Sequence, residues 1–233
     1  MKLVKCGKIA LVGLCIASMM AGAAVPALAV SPAGYTSLSR LEDTNDANPD
    51  TVQAIKNALA NINVTYAAET DTISMHSTYE TSEVDKKHNI VIPYIFTKNH
   101  AQDVYLGLLA VSQDDEGYYY WNKFDILTGD INQSDFTVSY ESKNVRRVYA
   151  TEDKSYAEIL SFITTADDAE NFAKILSYDT VYIRYNGQVV NGTKRSCTAL
   201  MTDENRQGIT DIVNLYNLLK SATPEEREAA LRG

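Results

Sequence analysis

The side chains whose type and spacing could do chemistry fall in four groups: three histidines, an acidic turn, a glycine-containing segment and an aromatic run. His76, His88 and His100 are its three histidines. Three imidazoles gathered from different strands would make a zinc or copper site. None of them has a second histidine two or four residues away, the spacing that places two ligands on one element. His88 also follows Lys86 and Lys87, whose charges oppose a cation. The expectation is that no metal and no cofactor is held, these three histidines being the candidate ligands if one were. Asp114, Asp115 and Glu116 form an acidic turn, but without the regular ligand alternation of a calcium loop. Gly187 to Lys194 has two glycines and a lysine after a strand-like run. Thr193 displaces the lysine by one position from the phosphate-binding pattern, and the segment after it reads as strand and not helix, so a hairpin is the expected structure. No Gly-x-Ser-x-Gly elbow and no Ser-x-x-Lys pair occurs. Catalytic residues are therefore expected to be absent.

The aromatic run Tyr118-Tyr119-Tyr120-Trp121, with Phe124 close behind, is the strongest feature. On a strand, Tyr118, Tyr120 and Phe124 face one way and Tyr119 and Trp121 the other. One face is expected to be core. An exposed aromatic face with tyrosine hydroxyls is a way to hold a glycan or a peptide, and Tyr119 and Trp121 are the candidate ligand-binding residues.

Charge and the N-terminus set the compartment. Lys2, Lys5 and Lys8 precede an apolar run from Ile9 to about Val25, and Ala27-Leu28-Ala29 supplies small residues where a signal peptidase cuts. The run is at the lower edge of membrane-spanning length, and Gly13, Gly22 and Pro26 interrupt it. Residues 1–29 are expected to be a cleaved signal peptide, leaving a periplasmic or extracellular protein with no stable membrane insertion. A lipidated Cys15 would follow Leu14, where a small residue is required, and is not expected. The net charge of −9 becomes more negative once the three leader lysines are gone. Basic residues occur in no run longer than a pair, which excludes nucleic acid and anionic lipid as partners. Cys6 and Cys15 leave with the leader, so Cys197 cannot form an internal disulfide. Next to Thr198, Ala199 and Leu200 it reads as a small buried residue, and stability rests on a hydrophobic core.

The elements that must position these residues follow from periodicity. Residues 30–47 read as a flexible mature N-terminus. Asn48 caps a short helix with Pro49 at its first position and Val52, Ile55 and Leu59 on one face. Alternation at Ile62, Val64 and Tyr66, then Ile73 and Met75, with Glu69-Thr70-Asp71 between, predicts a hairpin. Pro93 makes the strand from Ile90 to Thr97 an edge or a bulged one. Val104–Val111 and Tyr118–Leu127 are expected to pair as adjacent central strands, and Phe136–Tyr140 and Val145–Tyr149 to alternate. Tyr156–Thr164 fits helix or strand. Thr165 starts a helix to Ser177, Val181–Tyr185 is a strand, Asn186-Gly187 is a hairpin turn and Asn191-Gly192 a second turn or bulge. Thr202 caps a last helix that Pro224 stops, and 223–233 is expected to be a frayed tail. Strand runs followed by helix, strand, strand and helix indicate α+β: a mostly antiparallel sheet body with a short N-terminal helix and two C-terminal helices packed on it, as one domain over 48–222.

Ser177, Val181, Ile183, Arg184, Tyr185 and Gly187, followed by Leu200, Thr202 and the helix bearing Ile209 and Ile212, resemble the end of small exported bacterial proteins of unknown function. The resemblance covers the C-terminal third, and implies the exported compartment and a β-rich α+β fold, but no activity. Arg184 is expected to reach a carboxylate in a structural role. The functional expectation is a non-enzymatic binding protein of the cell envelope or extracellular space, with an envelope protein, a peptide or a glycan as partner. The alternatives are an envelope-polymer hydrolase with a carboxylate or serine site, and a histidine-based metal binder.

Overall fold

In the computed structural model, residues 47–78, 88–99, 101–151, 154–190 and 192–232 are described. The leader and all but the last residue of the flexible N-terminus lie outside them, as does His100.

Asn48 caps α1 (Pro49–Ala58) by accepting from the Asp50 N–H at 2.9 Å, which satisfies one of the donors a helix start leaves over. The predicted hairpin forms from β1 (Ile62–Ala67) and β2 (Thr72–Ser77), with Ile73 and Met75 turned to the core. β3 (His88–Lys98) and β4 (Asp103–Asp114) pair along their whole lengths. Pro93 is tolerated inside the sheet because the β2–β3 ladder stops at Met75 opposite Ile95, so no strand needs an N–H on that side of Pro93. The six-stranded sheet A is completed by β8 (Ser155–Ile163) beside β4 and β7 (Arg146–Ala150) at the edge, in the order β1-β2-β3-β4-β8-β7. The ambiguous Tyr156–Thr164 run is therefore a strand. Ala157 and Ile159 face one side and Leu160 and Phe162 the other, which suits two-sided burial better than a helix stripe.

The expected pairing of Val104–Val111 with Tyr118–Leu127 does not occur. β5 (Trp121–Gly129) pairs instead with β6 (Ser134–Glu141) and β9 (Val181–Gly187), and β12 (Cys197–Leu200) completes the four-stranded sheet B, ordered β12-β9-β5-β6. The cause is local. Asp114 accepts from the Glu116 N–H at 2.7 Å, Gly117 has φ of 140° and Tyr120 φ of 56°, and these turns lift the chain out of sheet A before β5 begins. Asn186-Gly187 is not a turn: both residues remain in β9, and the reversal falls at Gly192, between the two-residue strands β10 (Val189–Val190) and β11 (Thr193–Lys194). The phosphate-loop look-alike is thus a hairpin.

Both capped helices form. α2 (Ala166–Leu176) begins with a reciprocal capping box between Thr165 and Asp168, and α3 (Asp203–Ser221) with the Asn205 N–H donating to Thr202 Oγ1 at 3.1 Å. The expected frayed tail is a helix instead, α4 (Pro224–Arg232). Pro224 occupies a first-turn position, where its missing N–H costs nothing. Glu226 accepts from the Thr223 N–H at 2.7 Å and the Asn48 N–H at 3.3 Å. Arg227 donates from Nη1 to the Ala101 and Gln102 carbonyls at 3.2 and 2.8 Å, which ties the tail to the start of α1 and to the β3–β4 turn. The fold is α+β, with a short N-terminal helix and C-terminal helices on a mostly antiparallel β body. One face of sheet A carries the main core, shared with the helices and with sheet B, and the other carries a smaller cluster around Ile92, Tyr94 and Leu109.

Candidate functional site

The aromatic run splits at the point where the chain crosses between the sheets. Trp121 is fully buried at 0% and Tyr119 at 6% exposure, while Tyr120, at 37%, is open to solvent. The faces of the strand do not follow simple alternation. A register shift between Trp121 and Lys123 resets it, so that Phe124 joins Trp121 inside and does not share the outward face of Tyr118 and Tyr120. The Trp121 indole N–H donates to Ser112 Oγ at 2.7 Å and thereby stitches sheet B to sheet A. Its ring packs on Tyr185 and Phe124 at centroid distances of 4.8 and 6.0 Å. Tyr119 donates its hydroxyl to Asp114, with the Arg195 guanidinium 5.0 Å above the ring. Burial first, then that hydrogen bond and the neighbouring Cys197 thiol, push the Tyr119 phenol far above its usual range. The two residues that the sequence suggests as a ligand face are therefore placed in the core.

Tyr118 and Tyr120 go outward, and two tyrosines from other strands meet them. Tyr149 of β7 stands opposite Tyr156 of β8 in the ladder, with centroids 4.9 Å apart. Tyr118 packs edge-on against Tyr156 at 5.0 Å and against Tyr120 at 5.6 Å. The result is a continuous row, Tyr120, Tyr118, Tyr156 and Tyr149, in which Tyr149 is 46% exposed. Among the described residues none of the four hydroxyls is engaged in a hydrogen bond. Burial, with the adjacent Tyr120, Tyr156 and Glu158 adding to it, raises the Tyr118 phenol, so it stays a neutral donor at physiological pH.

Beneath the row lies a buried carboxylate. Glu158, 1% exposed, accepts from the Tyr119 N–H at 2.5 Å, the Tyr120 N–H at 3.0 Å and Arg147 Nε at 2.9 Å. Arg147 also donates to the Trp121 carbonyl at 3.2 Å and lies 5.2 Å from the Tyr120 ring centroid. These contacts hold Tyr120 in the left-handed region, a conformation that costs a non-glycine residue about 1 kcal/mol. Desolvation raises the Glu158 carboxyl above the usual range, against the lowering effect of its backbone and Arg147 partners.

The hydrolase alternative needs two carboxylates facing a cleft, about 5–9 Å apart. Among the described residues Asp114 and Glu158 are one pair on the same face of sheet A, and both are sealed from solvent. Glu158 is closed off by Arg147 and the two backbone N–H groups. Asp114, 2% exposed, is closed off by Tyr119, the Glu116 N–H and Arg195 at 3.2 Å. These two carboxylates do not face a cleft. His76 is half-buried in β2, its ring pushed toward the neutral form by burial; His88 starts β3 and His100 lies outside the described residues. Among the described residues no group of three His, Cys, Asp or Glu side chains is placed to hold a metal ion, and no helix is long and apolar enough to cross a membrane. Arg184 meets backbone and hydroxyl in place of the expected carboxylate, donating to the Ile131 carbonyl at 2.9 Å and to Thr198 Oγ1 at 3.3 Å. Cys197 is half-buried at the edge of sheet B.

Tyr149 and Tyr156 do not stand out as site residues in the sequence. The signal is there in two parts, Arg147-x-Tyr149 and Tyr156-x-Glu158, each a same-face pair once both segments are strands. The helical alternative for 156–164 hides the second. No protein-family model matches the chain, and neither a curated protein nor a solved structure matches it.

Proposed function

We propose that this is an exported, non-enzymatic binding protein of the cell envelope or extracellular space, and that its ligand surface is the tyrosine row Tyr120, Tyr118, Tyr156 and Tyr149. The leader-like N-terminus supports the compartment. The observation that carries the binding reading is four tyrosine rings in contact, partly open to solvent, with hydroxyls unengaged among the described residues and the Tyr120 backbone N–H held by the buried Glu158 of the Arg147–Glu158 pair. Such a surface is rigid before a ligand arrives, which limits the ordering cost of binding, and tyrosine provides apolar contact and a hydrogen-bond donor from one side chain.

Protein recovered after export tests both halves. Its intact mass should correspond to a chain starting at Val30; retention of the leader contradicts the export reading. A thermal-shift panel of envelope glycans, simple sugars and peptides should contain a ligand that raises the midpoint. At a hundred times its dissociation constant a ligand adds about 2.7 kcal/mol, or about 5–10 °C for a chain of this size. Turnover of a panel compound that a point substitution abolishes would contradict the non-enzymatic reading.

A further inference from the structure

Resting on the proposed binding role of the tyrosine row, we infer that its ligand is a cationic, proline-rich peptide in the polyproline II conformation. Three features of the row narrow the chemistry. First, successive rings meet at 66°, 76° and 50°, so they do not make the flat platform on which a sugar ring stacks. Steeply angled neighbours set ring edges beside ring faces, an uneven aromatic lining of the kind on which pyrrolidine rings dock. Second, the polar groups the row offers are hydroxyl donors. The carboxylate and the guanidinium beneath it are committed to each other and to backbone, so neither is available to fork onto sugar hydroxyls. A polyproline II chain has no internal hydrogen bonds and presents its carbonyls outward, as acceptors for such donors. Third, the length fits. Centroid steps of 5.6, 5.0 and 4.9 Å make a path of at most about 16 Å, which is about five residues at 3.1 Å per residue.

The charge follows from what borders the row. Asp114 stands opposite Tyr156 in the β4–β8 ladder, and the turn that leaves it, Asp115-Glu116-Gly117, delivers Tyr118. The acidic turn therefore starts beside Tyr156 and ends at Tyr118, the two rings in edge-on contact. Asp115 is exposed on it, and Glu116 is shared with Arg195 at 3.4 Å. Asp115 and Tyr118 are three residues apart, no more than about 10 Å of chain, which one turn of polyproline II, about 9 Å, bridges. An arginine or lysine one turn from a docked proline reaches Asp115, and the chain's net negative charge, larger still without the leader lysines, draws such a peptide in.

The experiment is calorimetric titration of the exported protein with three synthetic probes: a four-fold Arg-Pro-Pro repeat, the same peptide with every proline replaced by glycine, and a chitin hexasaccharide. The proline peptide should bind about tenfold tighter than the glycine peptide. Tyr149→Ala and Tyr118→Ala should each weaken it about tenfold, and Asp115→Asn about threefold with a shallower salt dependence. The fluorescence of Trp121, which lies in the core and outside the row, reports whether each variant is folded; Tyr149→Phe, keeping the ring and losing the donor, should fall between wild type and Tyr149→Ala. Equal affinity for the proline and glycine peptides would overturn the inference by reducing it to charge. Binding of the hexasaccharide alone, lost in Tyr149→Ala, would overturn it and leave the binding role standing. No binding by any probe would overturn it, and a flat glycan and peptide panel would remove the binding role as well.

Discussion

Arg147 and Glu158 face each other across the β7–β8 ladder with Nε 2.9 Å from Oε1, while the second carboxylate oxygen takes the backbone N–H groups of Tyr119 and Tyr120. One side chain of sheet A thus anchors the chain at its entry into sheet B. Removing one partner of a buried pair leaves the other's desolvation uncompensated, typically about 3–5 kcal/mol. Because Arg147 is partly exposed, Glu158→Ala should cost about 3 kcal/mol, the low end of that range, read from urea denaturation midpoints. A change below about 0.5 kcal/mol would mean that the clamp does not hold the two sheets.

The same carboxylate gives a pH dependence of defined sign. Burial raises its folded-state pKa above the unfolded value. The folded state therefore holds the proton more tightly, and the contribution is fully present below the ordinary carboxylate pKa of about 4.3 and lost as pH rises through the raised one. Stability of the wild type relative to Glu158→Gln should fall with rising pH across that window, and then level. A difference that rises with pH there would show that the Arg147 and backbone partners outweigh desolvation.

Gly187 is where three chain segments meet. A Cβ there would overlap the carbonyl oxygens of Arg195 and Tyr119, both backbone atoms that cannot rotate away. Gly187→Ala should cost about 3 kcal/mol or more. Gly192, at φ of 78° with no atom within 4 Å of an added Cβ, should lose only about 1–2 kcal/mol through backbone strain on the same substitution. Thermal denaturation of the two variants side by side checks the order.

Trp121 is the only tryptophan, so its fluorescence reports the seam between the sheets. Emission should be blue-shifted and inaccessible to iodide. Trp121→Phe removes the indole donor and leaves Ser112 Oγ without it, in addition to lost volume. A cost of about 2–3 kcal/mol is expected by denaturant titration. Emission at the wavelength of free indole would contradict its place in the core.

Much of this architecture is legible in the sequence, because local chemistry dictates it. The Asn48, Thr165 and Thr202 caps, the β1–β2 hairpin and the apolar periodicities of α2 and α3 each come from neighbouring residues. The long-range choices do not. Whether Val104–Val111 pairs with the next strand depends on Gly117 and Tyr120 adopting positive φ, which the Glu158 clamp enforces in the case of Tyr120 from 38 residues away. That clamp also decides which tyrosines face solvent, and the shift at Trp121/Lys123 inverts the alternation on which an inward and outward assignment rests. Pro224 misleads for a simpler reason: the residue that stops one helix is equally suited to begin the next.

The central claim, that the tyrosine row is the ligand surface, is tested most directly by comparing variants against the strongest ligand of the thermal-shift panel. Tyr120→Ala combined with Tyr149→Ala should abolish the ligand-induced shift of about 5–10 °C while Trp121 emission stays unchanged. Arg184→Ala, on the outer face of sheet B, should preserve the shift. A shift that survives the double tyrosine substitution and disappears in Arg184→Ala would contradict the account and move the site to the outer face of sheet B.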